Sequence, residues 1–343
     1  MPMSRPAAPR VTIRDVAAAA GVSVTTVSHS LNGKGAVDPA TRARVKQVAA
    51  QLGYRASRAA QALRAGRSGT IAFVIPSVGA VAEEREMLSL DYYMQLASAA
   101  ARVAFTRRHP LLLPPPIETL DDLRELGVDG AILCDPARDD PRIALFEELG
   151  LPIVTIERDL GRPDHRWYVE GDNRGNMRLL LDHVAAAGGR RIALLSADST
   201  WSWSADNEQA YRAWCEEHER TPIVEPTSLR HLETSAYDRA CALLDRPDRP
   251  DAIIALAERY ATGVVRAARE RGLRIPQDLL VAGGIDSHQA AEGDPPITAI
   301  DLQPELQGAA AAALLVALTE GERPEAPRIV PSRLRVRAST QRT

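Results

Sequence analysis

The 343-residue chain is poor in aromatic residues, at 4%, with three phenylalanines and four tryptophans. Its hydrophobic content is nonetheless 45%, so aliphatic side chains must fill its cores. The three cysteines, Cys134, Cys215 and Cys241, are odd in number and show no CxxC spacing. That excludes a disulfide framework and a zinc ribbon, and it suits a reducing cytoplasm. The seven histidines include no pair at metal-ligand spacing, so no metal or other cofactor is expected. The start, Met1-Pro-Met-Ser-Arg-Pro6, carries no apolar h-region, and no secretory signal is expected. The longest apolar run, Gly308 to Leu318, is too short to cross a bilayer and reads as a buried helix. HExxH, GxSxG, a Walker A motif and a GxGxxG after a strand are all missing. Gly188-Gly189 and Gly283-Gly284 read as a helix stop and a tight turn, so no enzyme is expected.

The charge is unevenly spread. From Met1 to Arg67 there are eleven Lys/Arg and two acids, Asp15 and Asp38, a net of +9; the remainder holds 31 basic and 43 acidic residues, a net of −12. The whole-chain value of −3 hides this split. A cationic head on an anionic body suits a DNA-binding module joined to a ligand-binding one.

The head reads as three short helices. Thr12 with Asp15 makes a capping-box-like start. Ile13, Val16, Ala17 and Ala20 recur at helical spacing, and Gly21 stops the helix where a positive φ is needed. Ser23 caps a second helix, Val24 to Leu31, with Val27 and Leu31 inward and Val24, Thr25, Ser28 and His29 outward; Asn32-Gly33 ends it. Asp38 caps a third helix with Pro39 at its first position. Val45, Val48, Ala49 and Leu52 form its core face, and Gly53 closes it. Short helices joined by a tight glycine turn make a helix-turn-helix.

Thr12-Ile-Arg-Asp-Val-Ala-Ala-Ala-Ala-Gly-Val-Ser-Val-Thr-Thr-Val-Ser-His-Ser-Leu-Asn-Gly33 resembles the N-terminal signature of the LacI/GalR family of bacterial transcription regulators. The likeness continues through Asp38 to Tyr54 and, more weakly, to Arg337-Ala-Ser-Thr340. The resemblance implies that the second helix enters the major groove, with Val24, Thr25, Ser28 and His29 facing bases. Thr25 and Ser28 can exchange hydrogen bonds, and Val24 can touch a thymine methyl. His29 stands where relatives commonly carry Arg, so a bidentate guanine contact is lost and a different base is expected there. Ser23, Asn32, Thr41 and Arg42 are expected on phosphates, which set register.

Tyr54 to Arg67 joins head to body. It is Ala-rich, with Ser57 a possible cap and Gly66 a stop; a helix this short is marginal alone in water. The resemblance implies that two such segments pair over the minor groove, with Leu63 wedged between base pairs and kinking the duplex. Tyr54, Arg58, Arg64 and Arg67 then reach phosphates. Ala56-Ser57 replaces the family's usual Pro-Asn. A plain flexible linker is the alternative.

From Thr70 the pattern alternates. Strands are expected at Ile71–Ile75, Leu111–Leu113, Ala131–Cys134, Ile153–Ile156, Ile192–Leu195, Ala252–Leu256 and Leu279–Ala282. Helices are expected at Leu90–Arg107, Arg142–Leu149, Asn173–Ala187, Asp206–His218, Ser235–Asp245, Tyr260–Arg271 and Glu305–Thr319. Short apolar strands between amphipathic helices mean doubly wound parallel sheets, too many strands for one. The resemblance implies two lobes of the type I periplasmic-binding-protein kind around a cleft. The expected domains are 11–53, the helix-turn-helix; 54–68, the hinge; and 69–340, the effector-binding and dimerisation body. One lobe takes about 70–169 and 300–324, the other about 170–299 and 325–340.

A ligand is expected at the C-terminal ends of the strands. That rule selects Ser77, Asp135, Glu157, Arg158 and Asp286, the last matching a family cleft Asp. Asp172 and Asn173 match a family Asp-Asn pair, although Asn173 can equally be a helix cap. Asn207 stands where many relatives have Arg, and Ala257-Glu258 where many have Asn-Asp. Losing that guanidinium fork disfavours a carboxylate or phosphate effector. Trp201 and Trp203, placed in a loop, offer a platform for a sugar ring or else pack between lobes. The segment from His109 to Asp129, with Pro114-Pro-Pro116, is short, and part of a helix is expected to be missing there.

The expectation is a DNA-binding repressor controlled by a small, sugar-like effector. It is expected to act in the cytoplasm as a homodimer on a pseudo-palindromic double-stranded operator, since no heptad tail follows Thr340. The rival is a solute-binding protein without a regulatory role, opposed by the basic head.

Overall fold

The computed structural model describes residues 11–32, 35–54, 67–78, 86–87, 90–197 and 200–342. The chain divides into two units, Met1–Ser68 and Gly69–Thr343.

The first unit holds α1 (Ile13–Ala20), α2 (Val24–Asn32) and α3 (Pro39–Gln51). The Thr12 N–H donates to Asp15 Oδ2 at 2.7 Å, and the Thr41 N–H donates to Asp38 Oδ2 at 2.9 Å. Gly21 adopts φ 63°, a left-handed turn that L side chains rarely take. Val16, Ala17, Ala20, Val27, Val45 and Ala49 form the core, with Ile13, Leu31, Val48 and Tyr54 half-buried against it. Leu52 departs from its expected inward position. It follows the last helical turn and is 38% exposed.

The second unit is built from two six-stranded sheets. In chain order come β1 (Ile71–Val74), the two-stranded ribbon β2 (Ser77–Val78) and β3 (Glu86–Met87), α4 (Leu90–Thr106), β4 (Leu111–Leu112), α5 (Leu120–Leu126), β5 (Ala131–Cys134), α6 (Pro141–Glu148), β6 (Ile153–Ile156) and β7 (Tyr168–Gly171). Then follow α7 (Asn173–Ala186), β8 (Ile192–Ser196), α8 (Ser202–Glu217), β9 (Ile223–Pro226), α9 (Leu232–Leu244), β10 (Ala252–Ala255), α10 (Tyr260–Glu270) and β11 (Leu280–Gly283). Last are α11 (His288–Glu292), β12 (Thr298–Asp301), α12 (Pro304–Thr319), β13 (Arg328–Val330) and β14 (Arg333–Arg335). The first sheet has the order β13-β7-β6-β5-β1-β4 and the second β14-β12-β11-β10-β8-β9. All pairings within them are parallel except β12 with β14. Every residue of β1, β5, β6, β8, β10 and β11 is buried, as expected where helices cover both faces.

The lobe boundaries differ from the sequence reading. Glu170 and Gly171 belong to β7 in the first sheet, and Ile300 pairs with Leu334 in the second. Within 325–340, Arg328–Val330 pairs with β7 of the first sheet, and only Arg333–Arg335 joins the second. The chain therefore changes lobe after β7, after β12 and between β13 and β14. The strands missed from sequence are the ribbon pair β2 and β3 and, in the two large sheets, β7, β9, β12, β13 and β14, which lie at or beside sheet edges. α5 occupies the segment expected to be curtailed; Thr119 and Asp122 cap it reciprocally.

In the first lobe α4 lies against α12 at Gly308, where a Cβ would come 2.2 Å from the Leu96 carbonyl oxygen. Gly308→Ala must push the helices apart. A stability loss of about 1–3 kcal/mol is expected from such overpacking, read as an earlier denaturant midpoint.

Candidate functional site

The C-terminal ends of both sheets open onto one cleft holding about 730 Å³ of space unfilled by protein, part of it open to solvent. From the first lobe it is lined by Tyr92 and Tyr93 on the first turns of α4, Asp135 after β5 and Glu157 after β6. From the second come Asn173 and Asn176 of α7, Trp203 and Asn207 of α8, Ala257 and Glu258 after β10, and Gly284 and Ile285 after β11. Leu229, Leu232, Leu256 and Leu302 supply apolar wall.

Two of the carboxylates sit on unusual backbone. Asp135 has φ 43° and Glu157 φ 68°, left-handed values that cost a non-glycine residue energy and tend to gather at functional sites. Both are buried. Burial pushes the Asp135 carboxyl up to about 6, opposed by the hydrogen bond that the Tyr93 hydroxyl donates to its Oδ2. Glu157 is held well above the usual carboxylate range by burial, then by the like charges of Glu170 and Asp135. Its Oε2 accepts from Asn173 Nδ2 at 2.8 Å and Ser202 Oγ at 3.1 Å. Tyr92 donates to Gln307 Oε1 at 3.0 Å and meets Tyr93 edge to face at 5.3 Å. Burial keeps both phenols protonated. The cleft thus offers carboxylate acceptors, amide groups that donate and accept, and aromatic faces, a combination suited to a hydroxyl-rich ligand.

Of the ten residues expected around the effector, five line this cleft: Asp135, Glu157, Asn173, Trp203 and Asn207. Ser77 begins the ribbon strand β2, and its side chain lies outside the described residues. Arg158 is not among the lining residues and is engaged in ion pairs with Glu170 and Asp206. Asp172 caps α7 by accepting from the Gly175 N–H at 2.9 Å. Asp286 is gripped by Arg337, which donates to both carboxylate oxygens at 2.7 and 2.9 Å. That fork anchors the C-terminal segment and withdraws Asp286 from the cleft. Trp201 and Trp203 are not in a loop: α8 begins four residues earlier than expected, with Trp201 at its N-cap and Trp203 inside it. They stack at 6.1 Å, and of the two only Trp203 lines the cleft. Tyr92, Tyr93, Asn176 and Glu258 join the lining from outside the expected effector set. The tyrosines could have been found as adjacent aromatics on a helix start in an aromatic-poor chain.

In the head, Val24, Thr25 and His29 are exposed on α2 and Ser28 is half-buried. The His29 imidazole lies against the loop that follows, where a Cβ on Gly35 would come 2.5 Å from its Nδ1. Ser23 Oγ accepts the Thr26 N–H at 3.1 Å, so it acts as a helix cap. Arg42 donates to the Gly35 carbonyl at 3.3 Å. Asn32 ends α2, and the Tyr54 N–H donates to the Ala49 carbonyl at 2.8 Å. Arg58, Leu63 and Arg64 lie outside the described residues.

Residues 12–57 match the family described as bacterial regulatory proteins, lacI family, and residues 181–340 match the periplasmic binding protein-like domain. The HTH-type transcriptional regulator CelR of Thermobifida fusca is 32% identical over 332 residues, 94% of this chain and 95% of that protein. This chain belongs to the lacI family of bacterial transcriptional regulators. It is a DNA-binding regulator of transcription, not a transport protein. The fold is shared with the lac repressor dimer bound to operator and an anti-inducer, at TM-score 0.78, 24% identity and coverage of 97% of this chain and 99% of that one. A CelR–cellobiose complex superposes at TM-score 0.70 with 29% identity, covering 96% and 100%. Among the described residues no helix is long and apolar enough to cross a membrane.

Proposed function

We propose that the chain is a cytoplasmic repressor whose operator affinity is set by a neutral, sugar-like effector bound between the lobes. The observation that carries the effector class is the cleft itself: Asp135, Glu157, Asn173, Asn207 and Glu258 present polar atoms beside the faces of Tyr92, Tyr93 and Trp203. Carboxyl oxygens accept hydroxyl protons, while the negative charge that Asp135 carries above about pH 6 repels phosphate and carboxylate ligands. The cellobiose in the related CelR complex supports a glycan ligand. The lac repressor dimer on operator supports a homodimer here. In it two heads would place Val24, Thr25, Ser28 and His29 in adjacent major grooves of a pseudo-palindrome, with Ser23, Asn32, Thr41, Arg42, Tyr54, Arg58 and Arg64 near phosphates and Leu63 as the minor-groove wedge.

A thermal-shift panel tests the effector class. Neutral mono- and disaccharides are expected to include a compound that raises the melting temperature. A ligand at 100 times its Kd stabilises by about 2.7 kcal/mol. Sugar phosphates and sugar acids are expected to give no shift. Stabilisation by phosphorylated compounds alone would overturn the assignment.

A further inference from the structure

We propose that Glu157 and Arg158 form a clasp that holds the two lobes together. Both residues follow β6 of the first lobe, and both reach across to the second. Glu157 accepts from Asn173 and Ser202, the first residues of α7 and α8. Arg158 Nη1 donates to both carboxylate oxygens of Glu170 in its own lobe, at 2.9 and 2.8 Å, while Nη2 donates to Asp206 on α8. The other oxygen of Asp206 accepts from Arg174 of α7 at 3.1 and 3.0 Å. The result is an alternating row, Glu170–Arg158–Asp206–Arg174, that crosses the cleft at its central pair. Glu170 and Asp206 are 9% and 7% exposed. Charges so far removed from water couple strongly to an opposite partner, and separating them leaves a buried charge poorly compensated. A backbone bond lies alongside, from the Arg138 N–H to the Thr200 carbonyl at 2.9 Å. The left-handed backbone at Glu157 is the local cost of sending two consecutive side chains across one gap.

The same groups border the effector site, because Glu157 and Asn173 line the cleft. A ligand hydroxyl that reaches Glu157 competes with Asn173, so occupancy and clasp are coupled. The regulatory consequence rests on the proposed effector reading; the clasp does not.

Trp201 and Trp203 flank Ser202 and report on the gap. Acrylamide quenching of tryptophan fluorescence in the full ligand-free chain therefore measures its opening. Arg158→Gln and Asp206→Asn are each expected to raise the quenching constant about twofold, and the double variant is expected to add nothing further. Arg178→Gln is the control: Arg178 pairs with Glu217 at 2.9 and 2.6 Å, joining two helices of one lobe, and its loss is expected to leave quenching unchanged. Unchanged quenching in both clasp variants, with circular dichroism showing them folded, overturns the clasp while wild-type operator binding still supports the regulator. Raised quenching with an operator Kd equal to wild type upholds the clasp and overturns its coupling to DNA.

Discussion

Asp135→Asn is expected to raise the melting temperature of the ligand-free chain by a few degrees at pH 8 and to weaken effector binding by tenfold or more. The carboxyl is held at about 6 in the folded protein, above its ordinary 3.8. A group with a raised folded pKa takes up its proton in the folded state first, so the folded form is favoured as pH falls. The parent should therefore gain up to about 3 kcal/mol between pH 8 and pH 4, since each tenfold difference in proton affinity between folded and unfolded chain contributes about 1.4 kcal/mol. The gain sets in as pH falls through 6 and is complete below the ordinary carboxylate value. Glu157 acts in the same direction. The asparagine variant loses the Asp135 share, keeps an acceptor for the Tyr93 hydroxyl and has a flatter pH profile. Its ligand loses a charge-assisted hydrogen bond, a change of about 1.5–3 kcal/mol. Melting curves at pH 5 and pH 8, with and without ligand, check both parts. Equal pH slopes for parent and variant would contradict the burial of this charge.

The second large effect is on DNA. Operator affinity is expected to fall by about three to five orders of magnitude between about 50 and 200 mM salt, the range for six to ten phosphate contacts released per complex. The argument is the +9 charge of the first 67 residues against −12 for the rest. Fluorescence anisotropy with a labelled palindromic duplex gives the slope of log Kd against log salt. A flat slope would mean that the head makes few phosphate contacts.

The head was legible because its signals are local. Thr12 with Asp15, Gly21, and Asp38 with Pro39 each act within one helical turn, and each stands where the residue pattern places it. The buried strands were legible as apolar runs. The edge strands were not: β9 is half-exposed along most of its length, and β13 and β14 carry three arginines in six residues. No local pattern tells a strand which of two sheets it will enter, so the last lobe crossing was misplaced.

The cleft divides along the same line. The strand-end rule found Asp135 and Glu157, which immediately follow β5 and β6. It failed for Asp286, because the partner that withdraws it, Arg337, lies 51 residues away. It also failed for Tyr92 and Tyr93, which reach the cleft from a helix separated from β1 by a long connection. Trp201 and Trp203 differ because α8 starts between them: one stands at the N-cap position, and the other turns with the helix toward the cleft.

The most direct test is operator affinity measured with and without a sugar that stabilises the body, alongside that sugar's affinity with and without operator. A ligand that opposes DNA binding must raise the operator Kd, and operator must raise the sugar's Kd by the same factor, about 5- to 150-fold for ordinary coupling. Identical operator affinity at zero and saturating sugar would show that the cleft does not control the head.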